Sequence, residues 1–332
     1  MTERDATVAA GAAGPAVVQR DAYRINLPLV LVAMAVVAVG LLTLPPLVVF
    51  AMTEVMIFAL YASGLNLLLS YAGVVSFGHA LYFGIAAYGM ALTITHLGWP
   101  IWLGIAIAPL TSVVFALVFG FLCVQLTAIY TGMLTLACAE VVYAVAFQWF
   151  DFTGGDSGIS GYVPTMLGLS PGLYGVVVMV VVTASLMLQW RVIHSPLGLT
   201  IRAVGQNPAR AAAIGHGRKR VQLIAFVISG LLCGIAGTLF GVFHGNVFPD
   251  YVGVLITVDG LVMVLLGGLY SFAAGIYGAI LYKVLDNLIA HYFEYWQIVV
   301  GLILVATILL SPSGISGLVR RVLERVRSGR NG

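Results

Sequence analysis

Charged side chains are scarce in this chain. Of its 332 residues only 8% are Asp, Glu, Lys or Arg, whereas soluble globular domains carry about 25%. This charge content is too low for a disordered protein or for a protein that binds nucleic acid through a basic face. Hydrophobic residues make up 61% of the chain, and the mean hydropathy is +1.07. We therefore expect an integral membrane protein that binds no nucleic acid.

Cysteine is equally sparse. The chain has Cys123, Cys138 and Cys233, and each lies inside an apolar run. This excludes the dense disulfide framework of small secreted domains and provides no pair spacing typical of zinc sites. We expect the three thiols to be small packing residues in the interior.

Motifs for common hydrolytic chemistry are missing as well. The only lysines are Lys219 and Lys283, and neither belongs to a G-x-x-x-x-G-K-[ST] phosphate-binding loop. The chain also has no H-E-x-x-H or G-x-S-x-G arrangement, so no nucleophile, base or metal site is recognisable. We expect no enzyme activity and no cofactor on this chain, and any ATP and Mg²⁺ must bind to another polypeptide.

Long apolar runs dominate the remaining sequence. About 20 apolar residues are needed to cross about 30 Å of hydrocarbon. Interruptions by Pro, Gly and charge, such as Pro45-Pro46 and Pro100, divide the chain into runs of that length. The resulting prediction is an all-α protein with about ten transmembrane helices. These are 27–44, 47–69, 74–97, 99–123, 128–150, 172–190, 221–243, 255–268, 272–290 and 295–311. The eighth and ninth could instead form one bent helix, although Gly267-Gly268 offers a turn.

The basic residues predict the orientation. All of them except Lys283 lie in the N-terminal segment 1–26, the loop 191–220 or the basic tail 312–332. With ten spans in the transmembrane domain 27–311, these three segments share one side, and the positive-inside rule makes both termini cytoplasmic. Since residues 1–26 lack the apolar core of a signal peptide, we expect the first span to act as the membrane anchor.

The inner loop 191–220 predicts two short capped helices. Their start and stop signals are Ser195-Pro196 with Gly205, and Asn207-Pro208 with Gly215. Ser and Asn accept hydrogen bonds from the first turn of a helix, and proline suits the first helical position. A structured basic loop favours a docking element for a cytoplasmic partner. The alternative is a loop that only fixes topology and touches anionic membrane lipid.

Five charged residues fall inside the predicted spans, namely Glu54, Glu140, Asp259, Lys283 and Asp286. Intramembrane charges are costly and are therefore functional candidates. Lys283 and Asp286 are three residues apart and can form a structural ion pair. Glu54 and Asp259 lie near outer helix ends, where they can extend towards water. Glu140 lies near mid-span and is either a pathway group or a neutral carboxyl bonded to a neighbouring helix.

Glycine and polar residues cluster at membrane depth between residues 66 and 88. This stretch contains Asn66, Ser76 and His79 among several glycines, and glycine weakens a helix. Ser76 and His79 are three residues apart and share a face. The segment is either a broken helix lining a substrate cavity or a site of close helix packing with one hydrogen-bonded histidine.

Four motifs carry a family resemblance. They are GLTIRAVGQNPARAAAIG at 198–215, YAGVVSFGH at 71–79, TGGDSG at 153–158 and LGGL at 266–269. Together they resemble permease subunits of ABC importers of the branched-chain amino acid type, and the resemblance extends over residues 50 to 318 in the same order.

The resemblance implies a set of partners and sites. The partners are a second homologous permease, two cytoplasmic ATP-binding subunits and an extracytoplasmic solute-binding protein, assembled in a bacterial inner membrane. The expected sites are a substrate pathway at Asn66, Ser76, His79, Glu140 and Asp259, ATPase coupling at Arg202, Asn207, Arg210 and Gly215, and an outer loop at Thr153, Gly154, Gly155 and Asp156.

The substrate and the energy source are further expectations. Members of the family carry branched-chain or other amino acids, urea, short amides or small aromatic acids. The mostly aliphatic and aromatic composition favours an apolar amino acid. The rival hypothesis is an ion-coupled carrier that acts without an ATPase and uses Glu140, Asp259 and His79 as relay groups.

Overall fold

The computed structural model describes residues 27–289 except 127, 164 and 270, together with residues 298, 301, 302 and 305. The described part is almost entirely helical. Its helices are α1 (Leu27–Thr43), α2 (Pro46–Asn66), α3 (Ala80–Thr95), α4 (Ile101–Cys123), α5 (Ala128–Gln148), α6 (Phe150–Thr153), α7 (Pro171–Ile193), α8 (Pro196–Gln206), α9 (Pro208–Ala213), α10 (Arg218–His244), α11 (Val254–Gly267) and α12 (Ala274–Ile289). Two strands of two residues each, β1 (Ile159–Ser160) and β2 (Asn246–Val247), complete it.

Eight of the first nine predicted spans agree closely with helices of the structure. Within the described residues, six segments are long and apolar enough to cross a membrane. They are 46–71, 101–123, 129–148, 171–193, 218–244 and 249–267. An all-α membrane protein is thus confirmed, whereas the total of ten spans stays a prediction. Except for residues 298, 301, 302 and 305, the predicted span 295–311 lies outside the described residues, as do the terminal segments 1–26 and 312–332.

One predicted span is wrong at its start. The sequence predicts a helix over 74–97, but the chain leaves α2 through a π-helical turn at Leu67–Tyr71 and becomes helical again only at Ala80. Gly73 adopts a φ of 65°, a conformation that favours glycine. At Gly78 a Cβ atom would collide with the backbone of Thr135, so the non-helical segment packs directly against α5.

The double glycine produces a turn, as its sequence suggests. Helix α11 ends at Gly267, Gly268 has a φ of 100°, and α12 begins at Ala274. The two helices then pack against each other so closely that a Cβ atom at Gly278 would overlap the carbonyl of Met263. The described residues of this region thus form two helices rather than one bent helix.

Helix α10 occupies the centre of the structure. It packs against α2, α3 and α4, and Gly234 and Gly237 allow it to touch Ser112 of α4 and the backbone of Phe83 in α3. Small residues at such crossings let helices approach closely in membranes. The three cysteines are buried free thiols, as expected. Helix α5 lies at the edge, where much of its surface is exposed.

The loops gather at two opposite ends of the helices. At the predicted outer end, Ile159 pairs with Val247 and Ser160 with Asn246 in an antiparallel ladder. At the other end, the Arg218 guanidinium donates to the carbonyl oxygen of Leu126. These contacts connect consecutive loops on each side, which is the arrangement expected of helices that alternate in direction.

Candidate translocation pathway and inner loop

A buried hydrogen-bond chain fixes His79. The Ser229 hydroxyl donates to the Gly64 carbonyl oxygen at 2.6 Å. Because this uses its only proton, the Ser229 oxygen accepts from Nε2 of His79, 2.6 Å away. Nδ1 of the neutral ring then accepts from the Ser76 hydroxyl at 3.0 Å. Ser76 and His79 are thus close together as predicted, but not through a shared helix face, because Ser76 lies before the helix that starts at Ala80. The hydrogen-bond chain ties α2 and α10 to the start of α3.

Both residues lie deep in the packed interior. Ser76 and His79 are each 0% exposed, so neither contacts solvent in this conformation. Every polar atom of the His79 ring is hydrogen-bonded, which is the usual condition for burying such a group. The expected role of the two residues in a substrate pathway stays a prediction that requires neighbouring helices to separate.

Asn66 joins the two breaks in the helical structure. Its Nδ2 donates to the Ser271 carbonyl oxygen at 2.9 Å, and its Oδ1 accepts from the Ser70 hydroxyl at 2.6 Å. Asn66 itself is fully buried. The end of α2 is thereby connected to the turn between α11 and α12, a link between residues 205 positions apart.

Lys283 is the centre of a charged cluster. Its Nζ lies 2.9 Å from Glu54 Oε1 and 3.6 Å from Asp286 Oδ2, and it also lies 4.1 Å from the centre of the Phe58 ring. The predicted pair of Lys283 and Asp286 is confirmed. The closer partner, Glu54, was expected to reach towards water instead. No sequence signal places α2 beside α12, so this pair could not have been predicted.

Asp259 lies next to the same helix. Its Oδ1 accepts a hydrogen bond from the hydroxyl of Tyr282, the residue immediately before Lys283. Four of the five intramembrane charges therefore lie around α12. The expectation that Asp259 extends towards water is not what the structure shows, because the carboxylate is engaged by α12.

Glu140 is separate from this cluster. It lies two-thirds of the way along α5 and is exposed, beside Met133 at 64% and Val141 at 61% exposure. Within the described residues it forms no ion pair or hydrogen bond, so the alternative of a carboxyl bonded to a neighbouring helix has no partner there. Both interpretations of Glu140 stay predictions. Since an unpaired carboxylate facing lipid is unfavourable, this face of α5 requires a cover of protein or water.

The inner loop consists of two capped helices, as predicted. The Ser195 hydroxyl accepts from the backbone N–H of Gly198 at 3.4 Å, and Asn207 Oδ1 accepts from that of Arg210 at 3.0 Å. Pro208, Ala209 and Arg210 are exposed on α9. Gly215 follows α9 with a φ of 90° and open space around it. Ala211 is 2% exposed, so α9 packs one face on the protein and exposes the other.

Helix α8 packs tightly against the broken segment. The Arg202 guanidinium lies 4.8 Å from the centre of the Tyr71 ring. A Cβ atom at Gly205 would lie 2.5 Å from the Tyr71 carbonyl oxygen, so the two backbones are in direct contact. Arg202 therefore faces its own chain. Tyr71, which α8 contacts, precedes Ser76 by five residues and His79 by eight in the sequence.

The outer loop forms a compact turn. The Thr153 hydroxyl donates to the carbonyl oxygen of Ala146 at 2.7 Å, and Gly154 and Gly155 both have positive φ, at 79° and 59°. Asp156 is exposed. Thr153 and the two glycines thus shape the turn, and Asp156 is the member that faces outward.

No group of three or more His, Cys, Asp or Glu side chains suited to a metal ion occurs in the described ranges. The charged cluster around α12 contains a lysine, whose positive charge opposes cation binding. The buried polar residues and the charged cluster described above therefore act through hydrogen bonds and ion pairs within the protein.

Comparison with known proteins identifies the family. The family described as branched-chain amino acid transport system / permease component matches residues 47–308. The chain belongs to this family. This permease is a multi-pass membrane protein, and the resemblance carried by its four motifs is confirmed.

The permease is similar to curated proteins of two kinds. It is 28% identical over 304 residues to the high-affinity branched-chain amino acid transport system permease protein LivM of Salmonella typhimurium, covering 83% of this chain and 71% of the relative. The LivM protein of Escherichia coli K12 is 28% identical over 299 residues, covering 82% and 70%. LivH of Salmonella typhimurium is 28% identical over 181 residues, covering 54% and 55%. No solved structure matches the permease.

These relatives are named as transport-system permeases. Their names support the predicted transport subunit and give no support to the ion-coupled carrier. The coupling, outer-loop and pathway roles of individual residues stay predictions.

Proposed function

We propose that this permease is one of two homologous subunits that together form the pathway of an ATP-driven importer for branched-chain amino acids. The observation that carries the proposal is the family match over 47–308, with relatives named for branched-chain amino acid transport. Since both LivM and LivH proteins match this one chain, the second subunit is expected to share its fold.

The proposed orientation has ten spans and both termini in the cytoplasm of a bacterial cell, with the permease in the inner membrane. The pairing of β1 with β2 at one end and the contact of Arg218 with Leu126 at the other support alternating helices. The basic loop 191–220 then faces the cytoplasm, as the positive-inside rule requires.

The exposed face of α5 is the proposed contact with the second subunit. Covering this face with a homologous protein removes Glu140 from lipid and leaves it at the shared pathway. The Glu140 side chain there can accept a hydrogen bond from the ammonium group of an amino acid, a contact that needs no titratable proton. Aliphatic neighbours such as Val141 suit an apolar side chain. Asp259 remains a candidate pathway residue. Its partner Tyr282 donates a hydrogen bond but carries no positive charge, so it does not neutralise the carboxylate.

The inner loop is the proposed coupling element for two cytoplasmic ATP-binding subunits, which hold ATP and Mg²⁺. The exposed residues of α9, including Arg210, form the docking surface, and Asn207 and Gly215 shape it. The chain has no phosphate-binding loop of its own, so the energy must arrive through such a contact.

The contact of α8 with the broken segment is the proposed route of coupling. A displacement of α8 acts on Tyr71 through Arg202 and Gly205. Tyr71 lies five residues before Ser76 in the same connection between α2 and α3. Ser76 is bonded to His79 and His79 to Ser229 of α10, which itself donates to Gly64 of α2. Movement of the inner loop can thus loosen the packing that closes the pathway.

The outer turn is the proposed contact for a solute-binding protein. Thr153, Gly154 and Gly155 hold a turn that presents Asp156 on the side opposite the inner loop. An exposed acid on a rigid turn suits a complementary basic residue of a docking protein.

The test is purification of the tagged permease from its own membranes in mild detergent. We expect a second permease and ATP-binding subunits in the eluate, and ATP hydrolysis that rises when leucine-loaded binding protein is added. Arg210→Glu should reduce the amount of ATP-binding subunit recovered, whereas Arg191→Glu, an exposed arginine at the end of α7, should leave it unchanged. Recovery of the permease without any ATPase would contradict the proposal.

A further inference from the structure

A cavity opens at the inner end of the molecule, between the connection from α4 to α5 and the first turn of α10. Its volume is about 620 Å³. Its lining consists of Val124, Gln125 and the continuous stretch 215–221. Val124 and Val221 are buried, at 2% and 8% exposure, whereas His216, Lys219 and Arg220 are exposed. The cavity therefore combines apolar walls with a basic rim.

The basic rim lacks an acidic counterpart. All ion pairs within the described part of the chain involve Lys283, which does not line the cavity. Arg218 is held by Gln222 Oε1 at 3.0 Å and by the Leu126 carbonyl oxygen. Lys219 and Arg220 have no such partner among the described residues. Uncompensated cations beside a cavity favour an anionic ligand.

The start of α10 strengthens this preference. Gly217 precedes the helix and provides no side-chain cap, so backbone N–H groups of the first turn remain available. The positive end of a helix dipole adds to the charge of neighbouring lysine and arginine side chains. The helix is 27 residues long, and its first turn lines the cavity.

Exposed apolar side chains flank the cavity. Phe121 and Leu122 in the last turn of α4 are 56% and 46% exposed, and Ile224 in α10 is 40% exposed. Such side chains are expected to contact acyl chains where helices meet the membrane interface. Basic pockets between transmembrane helices on the cytoplasmic side are known to hold anionic lipid headgroups.

We propose that this cavity binds the headgroup of an anionic phospholipid. Lys219 and Arg220 contact the phosphate, and the acyl chains lie along the exposed ends of α4 and α10. A free phosphate would use the basic rim alone and leave the flanking apolar residues uncovered. The proposal depends on the proposed orientation only in placing the cavity at the cytoplasmic leaflet.

The experiment uses the purified transporter complex in mild detergent after removal of bound lipid. Thermal unfolding is measured against increasing dioctanoyl phosphatidylglycerol, with dioctanoyl phosphatidylcholine and glycerol 3-phosphate as comparison ligands. We expect only phosphatidylglycerol to raise the Tm in a saturable manner, since ligands that bind the folded state stabilise it. Each of Lys219→Gln and Arg220→Gln should raise the apparent Kd about five-fold.

Arg191→Gln is the matched control, because Arg191 is exposed on the same side of the molecule but does not line the cavity. It should leave the apparent Kd unchanged, and all variants should keep the lipid-free Tm of the wild type. Equal stabilisation by phosphatidylcholine, an effect of glycerol 3-phosphate alone, or unchanged Kd values in both cavity variants would overturn the proposal. Loss of ATP-binding subunits with unchanged lipid binding would assign the cavity to ATPase docking instead.

Discussion

Several buried polar residues in this permease have partners on helices that are distant in sequence. The sequence identifies Lys283 and Asp286 as a pair because they are three residues apart. It does not identify Glu54, because that contact spans 229 positions and depends on α2 lying beside α12. Likewise, Ser76 and His79 are predicted neighbours, but their partner Ser229 could only be found in the folded molecule.

Lys283→Met should destabilise the permease. It leaves Glu54 and Asp286 without their cation, and breaking a buried pair by removing one partner costs about 3 kcal/mol or more. Because the Glu54 and Asp286 side chains are 28% and 24% exposed, we expect the lower end. Thermal unfolding of the purified complex measures the effect.

The double variant Lys283→Met with Glu54→Gln provides the control for that prediction. It removes one of the stranded carboxylates, so its loss of stability should be smaller than the sum of the two single effects. Additive losses would show that Lys283 contributes through packing against Phe58 rather than through charge.

Glu140→Cys should be accessible from water. If this face of α5 lines the shared pathway, a small hydrophilic thiol reagent reaches the new cysteine in the assembled complex, and leucine slows the reaction. The matched control is Leu117→Cys on α4, which replaces a 50% exposed apolar residue that we expect to face lipid. Equal reactivity at the two positions, without protection by leucine, would remove Glu140 from the pathway.

At the level of elements, local chemistry determined most of what the sequence could predict. Proline marked the starts of α2 and α4, Ser195 and Asn207 marked those of α8 and α9, and Gly268 produced the predicted turn. Residues 74–79 were wrongly predicted as helical because Val74, Val75 and Phe77 look like a continuous span. Their non-helical path depends on contact with α5, which a sequence does not reveal. The pairing of β1 with β2 was also missed, since two-residue strands leave no periodicity.

Asn207→Ala should weaken coupling without affecting membrane insertion. The Asn207 side chain caps α9, and loss of such a cap costs about 1 kcal/mol, which is large for a helix of six residues. We expect leucine-stimulated ATP hydrolysis of the reconstituted complex to fall several-fold. Asn207→Ser keeps a capping oxygen and should retain most of the activity. Equal activities of the Ala and Ser variants would mean that the cap has no role in coupling.

At the scale of the whole molecule, composition predicted the membrane class and four motifs predicted the family. The structure adds that α8 contacts Tyr71, five residues before Ser76, and that Ser76 and His79 belong to a hydrogen-bond chain that reaches α10 and α2. It also adds that Glu140 lies on a face of α5 that the described residues leave exposed. Both features are explained if the permease works as half of a pathway driven from the cytoplasm.

The most direct test is leucine uptake into right-side-out vesicles or proteoliposomes that contain the complete complex, with the binding protein added outside. ATP is enclosed inside, where the ATP-binding subunits face, and is held constant while a protonophore collapses the proton gradient. The account predicts that uptake continues, that it stops when ATP is withheld, and that Glu140→Gln, which lacks a titratable proton, keeps substantial uptake. Uptake that collapses with the proton gradient at constant ATP, together with an inactive Glu140→Gln variant, would contradict it.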